Sequence, residues 1–178
     1  IDDYPKFKDK IIYLKKYEEP FNLHNQKDEL INSYNKRLNS IKRIEQSYDY
    51  MMKGILDAKD DDLIIISDND EIPNLDSDKF KNSNKNFIIF KQLLFYYKFN
   101  LLHEVLPWFG SKACKKKYLK SFSSLRNLKN KKYPFWRLDT YLSNIKETSV
   151  EIIKDGGWHF TNIKTAEDLY TKMKNFGH

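Results

Sequence analysis

The stretch "LIIISDNDEIPN", residues 63–74, decides how this chain is interpreted. Four apolar residues run directly into Asp68, Asp70 and Glu71, as in a buried strand that ends in a turn. Pro73 stops the chain from continuing in the same way. Carboxylates crowded this closely repel one another unless a cation shares the site. The stretch therefore raises the question of what balances these acids.

Length and composition are typical of one compact domain. The chain has 178 residues, of which 40% are apolar, and we expect residues 1–178 to form a single domain. No run approaches the roughly 18 apolar residues of a membrane span, and no apolar signal segment is seen. The single Cys114 excludes an internal disulfide framework and a multi-cysteine zinc site. We expect a cytoplasmic protein, and an anchor outside these residues remains compatible with that expectation.

The net charge of +7 invites a nucleic-acid interpretation. Only four of the 32 basic residues are Arg, whereas guanidinium groups carry most specific base recognition. The abundance of Lys, Asn and Ile is typical of A+T-rich coding. We therefore do not expect nucleic-acid binding, which would show itself by a steep loss of affinity with salt.

The first half of the chain predicts a strand, a long helix and a second strand. "KIIYL" at residues 10–14 is a short apolar run suited to a strand. Residues 31–55 carry apolar side chains, Ile31 among them, at spacings of three, four and seven, which predicts a helix. Residues 63–67 form the next strand. Ligands of such α/β sheets bind at the carboxyl ends of strands, where residues 68–71 lie.

The second half predicts further strands and helices. Residues 87–99 are rich in β-branched and aromatic side chains, which predicts one long or two short strands. Helical stretches are expected around 115–121, and a strand over 149–153. A closing helix begins near residue 166, where Thr165 and Asp168 form a capping-box pattern.

Several kinds of site place acids after an apolar strand. An EF-hand calcium loop fails, because Ile72 and Pro73 stand where a ligand and a glycine are required. A haloacid-dehalogenase-like phosphatase also begins with a strand and Asp-x-Asp, but small residues normally follow. In a nucleotide-sugar transferase, an Asp-x-Asp turn holds Mn²⁺ or Mg²⁺ on the donor diphosphate. Solvated acids in an ordinary turn are the remaining interpretation.

The combination of "DDDLIIISDNDEIP" with a distant "GGWHF" resembles glycosyltransferase family 17, the family of the bisecting β-1,4-mannosyl-glycoprotein N-acetylglucosaminyltransferases. Asp-x-Asp-Glu-Ile-Pro together with Gly-Trp-His is far more specific than Asp-x-Asp alone. The resemblance spans most of the chain. Its stretches are "DKIIYL", "MKGILDAKDDDLIIISDNDEIP", "FYYKFN", Trp108-Phe109-Gly110, Arg126, "GGWHF" and "KMKNFGH".

The resemblance implies a GT-A-like α/β fold, with a mixed, mostly parallel sheet flanked by helices. It also implies a UDP-sugar donor, UDP-N-acetylglucosamine by analogy, a glycan acceptor and inversion at the anomeric carbon. The family's first strand, which helps hold the nucleotide base, is missing from this chain, so the domain is expected to be N-terminally incomplete. Ser47 and Tyr48 lie where the family tends to carry a Gln-Arg pair.

Site residues follow from the resemblance by position. Asp68, Asp70 and His159 are the implied ligands of Mn²⁺ or Mg²⁺, since an imidazole also serves Mn²⁺. An inverting transferase needs a carboxylate to take the acceptor proton, and Asp139 is the first candidate, with Glu104 in reserve. The implied substrate-binding residues offer a guanidinium, an aromatic face, a polar side chain or a close backbone approach: Asn69, Glu71, Asn100, Trp108, Gly110, Arg126, Arg137, Gly157 and Trp158.

Two other interpretations stay open. A haloacid-dehalogenase-like phosphatase would release phosphate through a covalent aspartyl phosphate. A carbohydrate-binding remnant of the transferase fold would bind glycan or UDP without consuming a donor. The sequence does not separate these from a working transferase.

Overall fold

The computed structural model describes residues 4–24 and 29–175, and the side chains of 4–24 and 34–173. It divides into two compact units, one reaching to Ala58 and the other spanning Lys59–Asn175. Each is described by itself, and the single domain over 1–178 stays a prediction. In the described part, no helix is long and apolar enough to cross a membrane.

The first unit is built on a long helix. Helix α1 spans Glu29–Met51 and continues into a 3₁₀ turn, Met52–Ile55, which confirms the predicted helix. The side chain of Ile31, part of the predicted apolar pattern, lies outside the described residues. The predicted strand at 10–14 is wrong. A 3₁₀ helix, Pro5–Lys10, is followed instead by a segment without strand pairing.

Side chains of α1 bind the backbone of the chain that follows this segment. The buried Asn39 accepts a hydrogen bond from the His24 backbone N–H at 2.8 Å and donates to the His24 carbonyl at 3.0 Å. The Tyr50 hydroxyl donates to the Lys15 carbonyl at 2.9 Å. Side-chain hydrogen bonds from the helix thus satisfy backbone groups of Lys15 and His24 without strand pairing.

The second unit holds a six-stranded mixed sheet. The strands lie in the order β1-β4-β3-β6-β2, with β5 also beside β3. They are β1 (Leu63–Ile66), β2 (Glu71–Pro73), β3 (Phe87–Tyr96), β4 (Trp108–Lys115), β5 (Val150–Ile153) and β6 (Gly157–Thr161). The predicted strands near 63–67, 87–99 and 149–153 are confirmed as β1, β3 and β5.

Strand β3 changes neighbours along its length. Phe87–Phe90 pair in parallel with β5, and Leu93–Tyr96 pair in parallel with β6. Strand β4 runs antiparallel along the other side, with a register shift between Ile89 and Lys91. Such a shift bends a strand, so β3 can serve two neighbours.

The mixed α/β fold with flanking helices is confirmed, but a mostly parallel sheet is not. Strand β3 pairs in parallel with β5 and β6, whereas β1–β4, β3–β4 and β2–β6 are antiparallel. The sequence did not predict β4 or β6, and these two strands make all three antiparallel pairings. Strand β4 escaped notice because Gly, Ser and Lys are weak strand formers.

Short helices flank the sheet. They are α2 (Asp78–Lys81), α3 (Phe122–Arg126) and α4 (Ala166–Asn175), with 3₁₀ turns at Lys116–Tyr118 and Leu138–Thr140. The helical stretch predicted around 115–121 corresponds to the first 3₁₀ turn, with α3 just after it. The cap of α4 is confirmed, since Asp168 N–H donates to Thr165 Oγ1 at 3.2 Å.

The core lies among β1, β3, β4 and β5. Ile66, Ile89, Phe90 and Ile153 are almost completely buried. Burial of each such side chain stabilises the fold by about 1.5–3 kcal/mol. Because Ile66 is the last residue of β1, the core fixes the point where the acids begin.

Candidate functional site

The acids lie in a tight turn between β1 and β2, which confirms that they follow the carboxyl end of a strand. Glu71 N–H donates to the Asp68 carbonyl at 3.0 Å, and Ser67 Oγ donates to the Glu71 carbonyl at 3.0 Å. We call residues 68–71 the acidic turn. Its shape is set by its own backbone bonds and by the core beneath β1.

Glu71 is the buried member of the acidic turn, with a side chain only 1% exposed. Its Oε1 accepts from Trp108 Nε1 at 2.8 Å, and its Oε2 accepts from Ser111 Oγ at 3.1 Å and from Asp68 N–H at 3.2 Å. Burying a carboxylate is costly unless it is bonded in this way. Both oxygens are thus engaged within the protein, and Glu71 braces the turn.

Gly110 makes room for this brace. A Cβ at Gly110 would lie 2.3 Å from Glu71 Oε1, 2.4 Å from Gln92 Oε1 and 2.4 Å from Trp108 Nε1. No side chain fits there without moving all three groups. Gly110, predicted to bind substrate, has a structural reason to be glycine, and Trp108 anchors Glu71.

Ser111 and Gln92 are polar partners that sequence reasoning missed. Ser111 Oγ lies 2.7 Å from Ser67 Oγ and accepts from Gln92 Nε2 at 3.2 Å. Both residues are buried. The available signal was Gln92 itself, an uncharged polar residue inside an apolar strand, since a buried amide needs a partner.

Arg126, at the end of α3, supplies positive charge to the acidic turn. Its Nη2 lies 2.5 Å from Asp68 Oδ2, and its Nη1 lies 3.9 Å from Glu71 Oε1. Lys112 Nζ donates to the Arg126 carbonyl and, at 2.9 Å, to the Leu128 carbonyl. The guanidinium of Arg126 therefore offsets part of the repulsion among the carboxylates of the acidic turn.

Lys112 is a buried cation behind Arg126. Burial, aided by the positive charge of Arg126, lowers the pKa of Lys112 to about 8, although Glu71 acts in the opposite direction. No local pattern predicts a buried lysine in a central strand. The alternation of side chains along β4 places Lys112 inward, where it donates to the carbonyls of Arg126 and Leu128.

The depressed pKa of Lys112 predicts a pH dependence of stability. Between about pH 8 and pH 10.5 the folded chain has lost a proton that the unfolded chain keeps, so stability rises with pH in that window. We expect Lys112→Met to flatten this rise in urea-unfolding midpoints. The control is Lys131→Met, at an exposed position. Curves for Lys112→Met that parallel the wild type would contradict the prediction.

Asp70 faces His159, which pairs with Glu71 across β2 and β6. His159 Nε2 lies 3.3 Å from Asp70 Oδ2, and the ring lies against Trp108 with centroids 4.4 Å apart. His159 is 5% exposed, and its Nδ1 has no hydrogen-bond partner within residues 4–24 and 29–175. A buried polar atom of this kind is commonly hydrogen-bonded to an ordered water.

The donor set fits part of a divalent-cation site. Two ligands about 2.1 Å from an octahedral ion, at right angles, lie about 3.0 Å apart, close to the Asp70–His159 spacing of 3.3 Å. Asp68 adds a carboxylate on the same turn. The described residues nevertheless hold no cluster of three or more His, Cys, Asp or Glu able to bind a metal. An ion here would need phosphate oxygens or water, as Mg²⁺ sites commonly do.

The residues of the "GGWHF" stretch have different structural roles. Gly157 has φ +103°, and a Cβ there would lie 2.0 Å from the Ile72 carbonyl, so this glycine allows β2 to approach β6. Trp158 is 41% exposed and pairs with Ile72. Because side chains alternate along a strand, Trp158 and His159 lie on opposite faces of the sheet.

Asp139 lies in an ion-pair cluster. Its Oδ1 accepts from Arg137 Nε at 2.8 Å, and its Oδ2 accepts from Arg137 Nη2 and Lys146 Nζ, each at 2.8 Å. Hydrogen bonds from these two cations hold the pKa of the Asp139 carboxyl well below its usual range. A general base works best with a pKa near the operating pH, so this arrangement does not favour Asp139, whose role stays a prediction.

The other predicted residues lie at the surface. Asn69 is exposed at the tip of the acidic turn, and Asn100 is exposed in the turn after β3. Glu104 is exposed in a bend before β4. The structure brings Asp68, Asp70, Glu71, Trp108, Gly110, Arg126 and His159 together through direct contacts at the acidic turn.

Comparisons of this chain with family models, with curated proteins and with solved structures found no match.

Proposed function

We propose that this chain is a metal-dependent inverting glycosyltransferase of GT-A type, which moves a sugar from UDP to a glycan hydroxyl. The sugar is N-acetylglucosamine by resemblance. One observation carries the proposal: the Asp70 carboxylate lies 3.3 Å from Nε2 of a buried His159, so a carboxylate and an imidazole face each other at the acidic turn. Solvated acids in an ordinary turn would not need a buried imidazole beside them.

The acidic turn and His159 would together hold the donor, with different residues in different roles. Asp70 and His159, joined by Asp68, would hold Mn²⁺ or Mg²⁺. When bound, such an ion offsets the charge that develops on the leaving nucleotide diphosphate. Glu71 keeps the turn in place through Trp108 and Ser111 rather than binding the ion itself.

Arg126 would be a second positive group beside a bound diphosphate, next to the metal ion. A guanidinium donates two parallel hydrogen bonds to phosphate oxygens, which a lysine cannot do. The Arg126 side chain is 22% exposed, so part of it reaches the surface beside the acidic turn. Arg137, also predicted to bind substrate, has its guanidinium on Asp139 instead.

The acceptor hydroxyl needs a base, for which the resemblance offers Asp139 and Glu104. We expect Glu104→Gln to lower transfer more than Asp139→Asn, because the Asp139 carboxylate is held by Arg137 and Lys146 with its pKa depressed. Initial transfer rates of both variants, measured across about pH 5–9, compare the two carboxylates. A larger loss of transfer rate in Asp139→Asn than in Glu104→Gln would indicate that Asp139 is the base.

The test of the proposal is donor turnover. The protein is incubated with UDP-N-acetylglucosamine, Mn²⁺ and a panel of glycan acceptors, and UDP release and product mass are measured. We expect a glycan product that disappears with chelator, with an inverted anomeric configuration. Phosphate release from a phosphate ester would favour the dehalogenase-type phosphatase. Donor binding without turnover on any acceptor would favour the carbohydrate-binding remnant.

A further inference from the structure

We propose that residues 133–142, which lie between α3 and β5, dock on an anionic lipid surface. We call this segment the aromatic loop. Its exposed rings enter the headgroup region, and the lysines before it face the lipid phosphates. This binding is independent of the activity proposed for the acidic turn, and the aromatic loop belongs to the second unit alone.

The aromatic loop exposes a large apolar surface. Five of its ten residues are large apolar side chains that are 68–92% exposed: Phe135, Trp136, Leu138, Tyr141 and Leu142. Single exposed apolar residues are normal, but a group of this size marks a contact with a partner or a membrane. The Phe135 and Trp136 rings lie edge to face with centroids 5.1 Å apart, and the Tyr141 hydroxyl lies 3.5 Å from the Phe135 carbonyl oxygen. These three side chains therefore belong to one patch.

Hydrogen-bonded turns hold the aromatic loop in shape. Arg137 N–H donates to the Pro134 carbonyl at 3.2 Å, and Tyr141 N–H donates to the Leu138 carbonyl at 3.1 Å. The buried Thr140 donates to the Arg137 carbonyl through its N–H at 3.1 Å and through its Oγ1 at 2.6 Å. These backbone groups are thus satisfied within the loop, as entry into a poorly hydrated region requires. A loop that is already ordered also loses little conformational freedom on binding.

The charge around the aromatic loop is positive. Residues 129–142 contain four basic residues and one acid, a net charge of +3. The acid, Asp139, accepts hydrogen bonds from Arg137 and Lys146, with nitrogen–oxygen distances of 2.8 Å. The only carboxylate in this stretch is therefore neutralised by its neighbours, and it does not repel an anionic surface.

Two lysines before the loop are available to lipid phosphates. Lys129 and Lys131 are exposed, and neither forms an ion pair with an acid in the part of the chain that the structure describes. Lys132 is also exposed, although its Nζ lies 3.5 Å from Glu151 Oε1. Each cation near an anionic membrane contributes about 1 kcal/mol to binding, so these lysines complement such a surface.

The composition favours a lipid surface over a protein partner or a glycan. Protein interfaces are enriched in Arg and depleted in Lys, whereas three of the four cations in residues 129–142 are Lys. A neutral glycan has no charge for these cations to attract. Trp and Tyr prefer the membrane–water interface, and Lys beside Trp, Phe and Leu is typical of segments that lie in it.

The experiment is co-sedimentation of the full chain with lipid vesicles, in the absence of metal and sugar donor. One set of vesicles is phosphatidylcholine with about 30% phosphatidylglycerol, and the other is phosphatidylcholine alone. We expect the wild type to bind the anionic vesicles at least about 10-fold more tightly than the neutral ones. Raising the salt from about 0.1 M to about 0.5 M should weaken this binding, because salt screens the lysines.

A double variant tests the rings of the aromatic loop. We expect Phe135→Ser/Trp136→Ser to weaken binding to the anionic vesicles at least about 10-fold, with the fold unchanged by circular dichroism because both positions are exposed. The matched control is Tyr17→Ser/Phe21→Ser, which removes two rings of the first unit that are 84% and 101% exposed. This control should bind within about twofold of the wild type.

Trp136 also provides a signal of its own. Tryptophan emission of the wild type should shift to the blue when anionic vesicles are added, since the Trp136 ring leaves water. Trp136→Phe keeps an aromatic ring, so it should bind within about threefold of the wild type but lose most of the shift. Retention of the full shift in Trp136→Phe would contradict insertion of the aromatic loop.

Other results would overturn the proposal. They are a wild type that binds neither kind of vesicle, or equal binding by the two double variants. Self-association of the wild type that Phe135→Ser/Trp136→Ser abolishes, without vesicle binding, would make the aromatic loop a contact between copies of this chain. A shift of tryptophan emission with oligosaccharides but not with vesicles, lost in Trp136→Phe, would make it a glycan site.

Discussion

Replacing Asp70 with asparagine is expected to reduce sugar transfer by at least about 100-fold while the fold stays intact. The amide removes the negative charge that a divalent cation requires, at the oxygen 3.3 Å from His159 Nε2. The fold should survive, because the Asp70 side chain is 39% exposed and its backbone carbonyl still accepts from Phe160 N–H at 2.9 Å. UDP release at saturating Mn²⁺ measures the activity, and thermal unfolding measures the fold.

The matched control for this variant is Asp76→Asn. Asp76 lies a few residues further along the chain, with a side chain 96% exposed and paired with Lys81. A surface pair of this kind contributes little, so transfer should remain within about twofold of the wild type. Transfer by Asp70→Asn at the rate of Asp76→Asn would contradict the metal role of the acidic turn.

The second large effect is expected from Gly110→Ala, which should lower the free energy of unfolding by about 2–4 kcal/mol. The added Cβ would lie 2.3–2.4 Å from polar atoms of Glu71, Gln92 and Trp108. These atoms end flexible side chains, but Glu71 and Trp108 are hydrogen-bonded to each other and Gln92 is buried. Relieving the clash therefore breaks the brace of the acidic turn. Urea unfolding followed by tryptophan fluorescence measures the loss.

Gly54→Ala is the control for a glycine-to-alanine change as such. A Cβ at Gly54 would meet only the flexible Leu14 side chain, at 3.2 Å, and Gly54 lies in a 3₁₀ turn without a positive φ. We expect it to change stability by no more than about 1 kcal/mol, in either direction. A Gly110→Ala variant as stable as Gly54→Ala would mean that the brace around Glu71 is not needed.

Local sequence patterns correctly predicted helices and strands whose type is determined by their own residues. The apolar spacing of α1 and the β-branched runs of β1 and β3 predicted their type, because period and propensity are local properties. The acids after β1 predicted the turn for the same reason. The segment "KIIYL" shows the limit of this approach. Its pattern suits a strand, but it has no strand partner, and the backbone after it is hydrogen-bonded to Asn39 and Tyr50 at His24 and Lys15.

Features that depend on long-range partners could not be predicted in this way. Strands β4 and β6 are identified by their pairing with β3, since each also carries glycine and polar residues that interrupt a strand pattern. The contacts of Ser111 and Lys112 require the register of β4 against its neighbours. The pairing of Asp139 with Lys146 likewise brings together residues that the sequence separates by a turn.

Calorimetric titration of UDP into the protein, first with Mn²⁺ and then with chelator, tests whether the acidic turn is a metal-dependent donor site. The account predicts saturable UDP binding with Mn²⁺ that weakens at least about 10-fold when the metal is removed, because Asp70 and His159 reach the diphosphate only through the ion. UDP binding of equal strength with and without metal, or no binding under either condition, would contradict it.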